Sequence, residues 1–164
     1  MRKLSIASLI LLSGLVHGQP LKTQSDAAKS FMRIFQKADT AALLGLLPPP
    51  AVFRLTAPEE TQGKSDEEIN KMIQPLRDEL VMGFQYLLRE ADSLAIDRTK
   101  IKLAGQRTSP ITTYPGFHAL LLEFSYGKKK GEFSLGAAII DGVWYIYAID
   151  QMLGVFTGMV PVKK

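Results

Sequence analysis

Glu132-Phe133-Ser134-Leu135-Gly136-Ala137-Ala138-Ile139-Ile140-Asp141-Gly142-Val143-Trp144-Tyr145-Ile146-Tyr147-Ala148-Ile149-Asp150 reads as two β-strands and the turn between them. The residues flanking Asp141-Gly142 are mostly β-branched, aromatic or small, types that suit a pleated surface. Asp-Gly favours a two-residue hairpin because both turn positions take positive φ. The turn also sets register. It pairs Ile140 with Val143, and then Ile139 with Trp144, Ala137 with Ile146, Leu135 with Ala148 and Phe133 with Asp150.

Working backwards, period-two alternation extends over residues 116–126 and 100–108, making four strands at short spacing. A four-residue loop at 127–130 is expected to pair Tyr126 with Gly131. That register sets Phe124 beside Phe133, Leu122 beside Leu135, Leu120 beside Ala137 and His118 beside Ile139. These side chains share one face, the inner one. The other face carries Ala119, Leu121, Ala138, Ile140, Val143, Tyr145, Tyr147 and Ile149, and is too apolar to stand open to water. Three occupants fit it: a second copy of the chain, the tail at 152–162, or another protein. A second copy is the favoured one, with Leu121, Tyr145 and Tyr147 in the interface.

Before residue 97 the period is that of helices. Ala27, Ala28, Phe31, Ile34, Phe35 and Ala38 make one apolar face on a helix capped by Ser25. Asp39 caps a short second helix over 40–47, ended by Pro48-Pro49-Pro50. Residues 51–56 read as a short strand and 58–64 as loop. Ser65 and Glu68 form a capping box that opens a long helix. Its apolar positions run from Ile69 and Met72 through Leu80 and Phe84 to Leu94, keeping phase across Pro75. One kinked helix, or two in line, is therefore expected, with Gly83 admitting a close neighbour. Helices first and an antiparallel meander last make the fold class α+β, with the long kinked helix packed on a curved four-stranded sheet.

At the other end of the chain, Arg2 and Lys3 precede an apolar run that closes on Val16-His17-Gly18. A basic start, a short apolar stretch and a small-residue exit are the layout of a signal peptide. Residues 1–18 are accordingly expected to be removed, leaving 19–164 as one α+β domain that is exported, periplasmic or secreted, with no membrane span. Removal takes two of the twenty basic residues, leaving eighteen against sixteen acidic ones. So slight an excess, with Lys128-Lys129-Lys130 at a hairpin tip, is no nucleic-acid footprint. The chain has no cysteine, which excludes disulfides, thiol catalysis and thiolate metal sites. One histidine after the signal and scattered carboxylates offer no metal-ligand spacing. No motif implies a cofactor.

The order of a helix at 25–37, a short second helix, a long helix from Ser65 and four strands ending in Gly142-Val143-Trp144-Tyr145-Ile146-Tyr147 resembles the nuclear transport factor 2-like superfamily. A cystatin-like helix on a meander is the near alternative. The resemblance implies a cone whose concave face holds a ligand, and His118, Arg107, Tyr114 and Trp144 are the residues expected at its mouth. Asp150 shares a face with His118 but stands about 20 Å away by register, so the two make no pair. Catalytic relatives such as the ketosteroid isomerases need an acidic base facing a hydrogen-bonding pair. No inward residue here reproduces that set, so no catalytic residue is assigned. The expectation is a non-catalytic exported domain that binds a small apolar ligand or an envelope protein, and that forms a homodimer through its outer sheet face. The alternatives are an isomerase or dehydratase using His118, and a structural subunit of an envelope assembly.

Overall fold

The computed structural model describes residues 20–112, 116–150 and 154–159. The signal-like segment 1–18 and Tyr114 lie outside them. Six helices come first: α1 (Gln24–Lys37), α2 (Thr40–Leu44), α3 (Pro50–Thr56), α4 (Pro58–Thr61), α5 (Asp66–Met72) and α6 (Gln74–Ser93). A 3-10 turn at Arg98–Lys100 leads into β1 (Lys102–Pro110), β2 (Phe117–Tyr126), β3 (Lys129–Ile140) and β4 (Val143–Asp150). The strands form one open antiparallel sheet in the order β1-β2-β3-β4, so the fold is α+β.

The caps show why the helices start where they do. Thr23, two residues before the expected Ser25, and Asp26 form a reciprocal capping box on α1. Asp39 caps α2, and Ser65 with Glu68 caps α5 as its sequence suggests. Hydrogen bonds from the Ser65 backbone and hydroxyl hold the Glu68 carboxyl below its usual range. The long helix is two: Ile73 ends α5 and begins α6, with Pro75 in the first turn of α6, where its missing amide removes no hydrogen bond.

Two short segments depart from expectation. Residues 51–56 are helical rather than a strand. Pro50 occupies the first turn of α3, where its fixed φ suits a helix, and a short apolar run has too little periodicity to tell the two apart. Arg54 then fastens α3 to the start of α5, donating to the Lys64 carbonyl at 2.8 Å and to Asp66 at 2.6 Å. The segment 58–64 contains the single turn of α4 rather than loop alone.

The sheet registers differ from expectation at three places. The loop between β2 and β3 has two residues, not four, and pairs Tyr126 with Lys129. Gly127 takes the one positive φ of that turn, so Lys129 and Lys130 extend the strand. The shift is by two residues, so no side chain changes face, but partners change. Leu122 now opposes Phe133, Leu120 opposes Leu135, His118 opposes Ala137, and Phe124 opposes Gly131.

The other two differences are bulges. In β1 the register slips between Leu103 and Gly105. In β4 the Asp141-Gly142 turn gives the expected pairs as far as Ala137 with Ile146. Gly136 then opposes Ala148, Leu135 opposes Ile149 and Ser134 opposes Asp150. One extra residue exchanges the faces beyond it. Ile149 therefore turns inward and is buried, while Asp150 turns outward and accepts the Ser134 hydroxyl at 2.6 Å. Both placements reverse the expected ones. Burying an aspartate against the Phe133 ring would cost several kcal/mol unless it were paired, roughly the penalty for an uncompensated charge, and the bulge avoids it.

The core lies between the helices and the inner sheet face. Phe133 is its centre, in ring contact with Phe124 at 4.5 Å, Phe35 at 5.1 Å, Phe31 at 5.8 Å and Phe156 at 5.9 Å. Leu80, Phe84, Leu87 and Ala91 bring α6 onto the same cluster. A Cβ on Gly83 would meet Ile149 Cβ at 3.1 Å, so the missing side chain is what lets α6 lie close to β4. The free edge of β4 is covered as well. Trp144 donates its backbone N–H to the Leu21 carbonyl at 2.8 Å, and Ile146 donates to Leu46 at 3.0 Å, which removes part of an edge open to strand pairing.

Candidate functional site

His118 and Trp144 meet at one end of the inner face. The half-buried imidazole lies against the indole with ring centres 5.7 Å apart and planes at 42°. Trp144 is only 9% exposed. The contact fills space, and no carboxylate hydrogen-bonds His118 among the described residues.

Arg107 does not join them. The β1 bulge moves Gly105 opposite Glu123 and Arg107 opposite Leu121, on the outer face. There the guanidinium donates to Glu132 at 2.8 Å and lies 4.0 Å from Glu123. The Glu132 hydrogen bond and charge raise its already high pKa. The expectation that Arg107 lies beside His118 is therefore corrected. The structure brings together two of the four expected mouth residues, places Arg107 across the sheet, and does not describe Tyr114.

The outer face has a different character. Leu121, Ile140, Val143, Tyr145 and Tyr147 are half-buried, and Ala138 beneath them is buried. Phe117 completes the patch, 39% exposed, its ring 5.2 Å from Tyr147 and edge-on to it. The sequence reading missed Phe117, although it follows from the parity of Ala119 and Leu121. Tyr147 lies over Gly136, where a Cβ would meet the tyrosine ring at 2.8 Å. Partial burial pushes the Tyr145 and Tyr147 phenols above their usual range, with Asp141 and Asp150 adding to the effect. At one side the Arg107–Glu132 pair borders the patch, and at another the Ser134–Asp150 bond does.

The described part of the tail lies on the opposite side of the sheet. Phe156 stacks on Phe35 at 5.9 Å within the core, and its backbone N–H donates to Glu90 at 3.2 Å. Met159 is buried too. Among the described residues there is no group of three or more metal-ligating side chains, and no helix is long and apolar enough to cross a membrane. Comparison of the chain with protein-family models, with curated proteins and with solved structures finds no match in any of the three.

Proposed function

We propose that this chain is an exported, non-catalytic interaction domain of the nuclear transport factor 2-like kind, and that its outer sheet face receives a second copy of itself. One observation carries the reading. The apolar side chains of Leu121, Ile140, Val143, Tyr145 and Tyr147 keep part of their surface exposed among the described residues, while Phe156 and Met159 of the described tail pack on the other side. Apolar patches rimmed by polar groups mark interaction sites. Tyrosines suit such a centre, because each offers a large apolar body with a hydroxyl that tolerates water. Export is supported by the basic-apolar-small layout of residues 1–18.

A small apolar ligand held between helices and sheet is the weaker reading, since the phenylalanines around Phe133 already occupy that space. An enzyme built on His118 is weaker still, because its contact is an indole and not an acid.

Sedimentation velocity tests the proposal. The protein without residues 1–18 is expected to sediment as a dimer and Tyr145→Lys as a monomer, with little change in thermal midpoint. A monomeric wild type at every concentration, or a Tyr145→Lys dimer, refutes the homodimer.

A further inference from the structure

We propose that the trough between α1 and the α2 turn is a docking groove for an extended acidic peptide segment of a partner protein. The trough has a volume of about 1120 Å³. Lys22, Lys29, Arg33 and Lys37 line it, above a floor that includes the buried Ile34 and Leu46. It does not overlap the outer sheet face, so it stands or falls independently of the dimer.

The cations are the first argument. None of the four makes an ion pair or side-chain hydrogen bond among the described residues. Elsewhere Arg54, Arg98 and Arg107 each meet a carboxylate at 2.6 to 2.8 Å. The two acidic residues in the trough are already engaged as caps. Asp26 accepts the Thr23 N–H at 3.1 Å, and Asp39 accepts the Ala42 N–H at 2.9 Å. The trough therefore presents four unpaired cations against two carboxylates turned to the backbone.

Spacing is the second argument. Lys29, Arg33 and Lys37 fall four residues apart on one stripe of α1, which at about 1.5 Å per residue separates them by roughly 6 Å along the axis. Alternate side chains of an extended peptide are roughly 6.7 Å apart. Three acidic side chains at alternate positions thus match three cations to within the reach of flexible lysine and arginine stems. Rigidity is the third argument. The Leu21 and Leu46 carbonyls, on the trough's floor and rim, are bonded to β4 at 2.8 and 3.0 Å, so the groove is held open by the sheet. An acidic amphiphile fits less well, because Ile34 and Leu46 are 5% and 7% exposed and offer an alkyl chain little surface.

The test is fluorescence anisotropy with two labelled eight-residue peptides of one composition, one alternating Glu and Ser, the other with its four Glu in a block. The alternating peptide is expected to bind more tightly than the block. The variant K29E/R33E/K37E should lose about tenfold or more in affinity, as three exposed pairs together would. K128E/K129E/K130E, on the β2–β3 hairpin tip, should bind as wild type does. Circular dichroism checks that both variants fold, and K29Q/R33Q/K37Q replaces the first if it does not. No binding, equal binding of the two peptides, or equal losses in the two triple variants would each overturn the proposal, the last two by reducing it to unspecific charge attraction.

Discussion

The two faces of this sheet are built from similar residue types and are buried to different degrees. The inner face puts Leu120, Leu122, Phe124, Phe133 and Leu135 against the helices and leaves them at most 1% exposed. The outer face leaves Leu121, Ile140, Val143, Tyr145 and Tyr147 only half-buried among the described residues. The difference is what stands opposite, not the hydrophobicity of the strands. Stability is concentrated where α1, α6 and Phe156 converge on Phe133, and the proposed interface lies on the other side.

The comparison breaks most readily at its strongest point. Phe133→Ala is expected to cost about 3–5 kcal/mol, as truncating a fully buried phenylalanine does. Leu121→Ala on the outer face should cost at most about 1.5 kcal/mol, because only part of its surface leaves water. Equal losses for the two in urea denaturation would mean that the faces are not distinct. Of intermediate size, Gly83→Val would drive a branched side chain into Ile149, and overpacking of this kind costs about 1–3 kcal/mol. An unchanged midpoint there would show that α6 does not lie against β4 as described.

The smallest effect concerns the outer tyrosines. Their raised pKa values mean that the folded chain keeps phenol protons that the unfolded chain releases near pH 10. Stability is therefore fully present below about pH 10 and falls as pH rises through the raised values. Between about pH 9 and about pH 11 the double variant Tyr145→Phe/Tyr147→Phe should lose less thermal stability than the wild type. Identical pH profiles would mean that the phenols are no less hydrated than in the unfolded chain.

Much of this contrast was legible in the sequence, and its gaps have physical causes. Period two fixes which residues of a strand share a face, so the inner set on β2 and β3 survived a change of loop length by two. Parity could not reveal the bulges. Tyr145, Ile146, Tyr147, Ala148 and Ile149 are apolar at both parities, so neither face of the end of β4 stands out. The one signal was Asp150, which an unbroken ladder would bury beside Phe133. The same slip in β1, a strand with few apolar residues to fix its faces, carried Arg107 across the sheet and dispersed the expected mouth. The helical 51–56 was hidden for another reason: six residues are too few to display either period.

The sequence by itself determined the class of fold, the caps Asp39 and Ser65, the Asp141-Gly142 hairpin and the apolarity of both sheet faces, because these are local properties of a few neighbouring residues. Only the tertiary structure decided which side of the sheet Phe156 and Met159 would join, where the bulges exchange Ile149 for Asp150, and that Lys29, Arg33 and Lys37 would line a trough without ion-pair partners among the described residues. Those outcomes depend on contacts between segments far apart in the chain, where one slipped residue or one close approach, such as Ile149 over Gly83, changes what a whole surface presents.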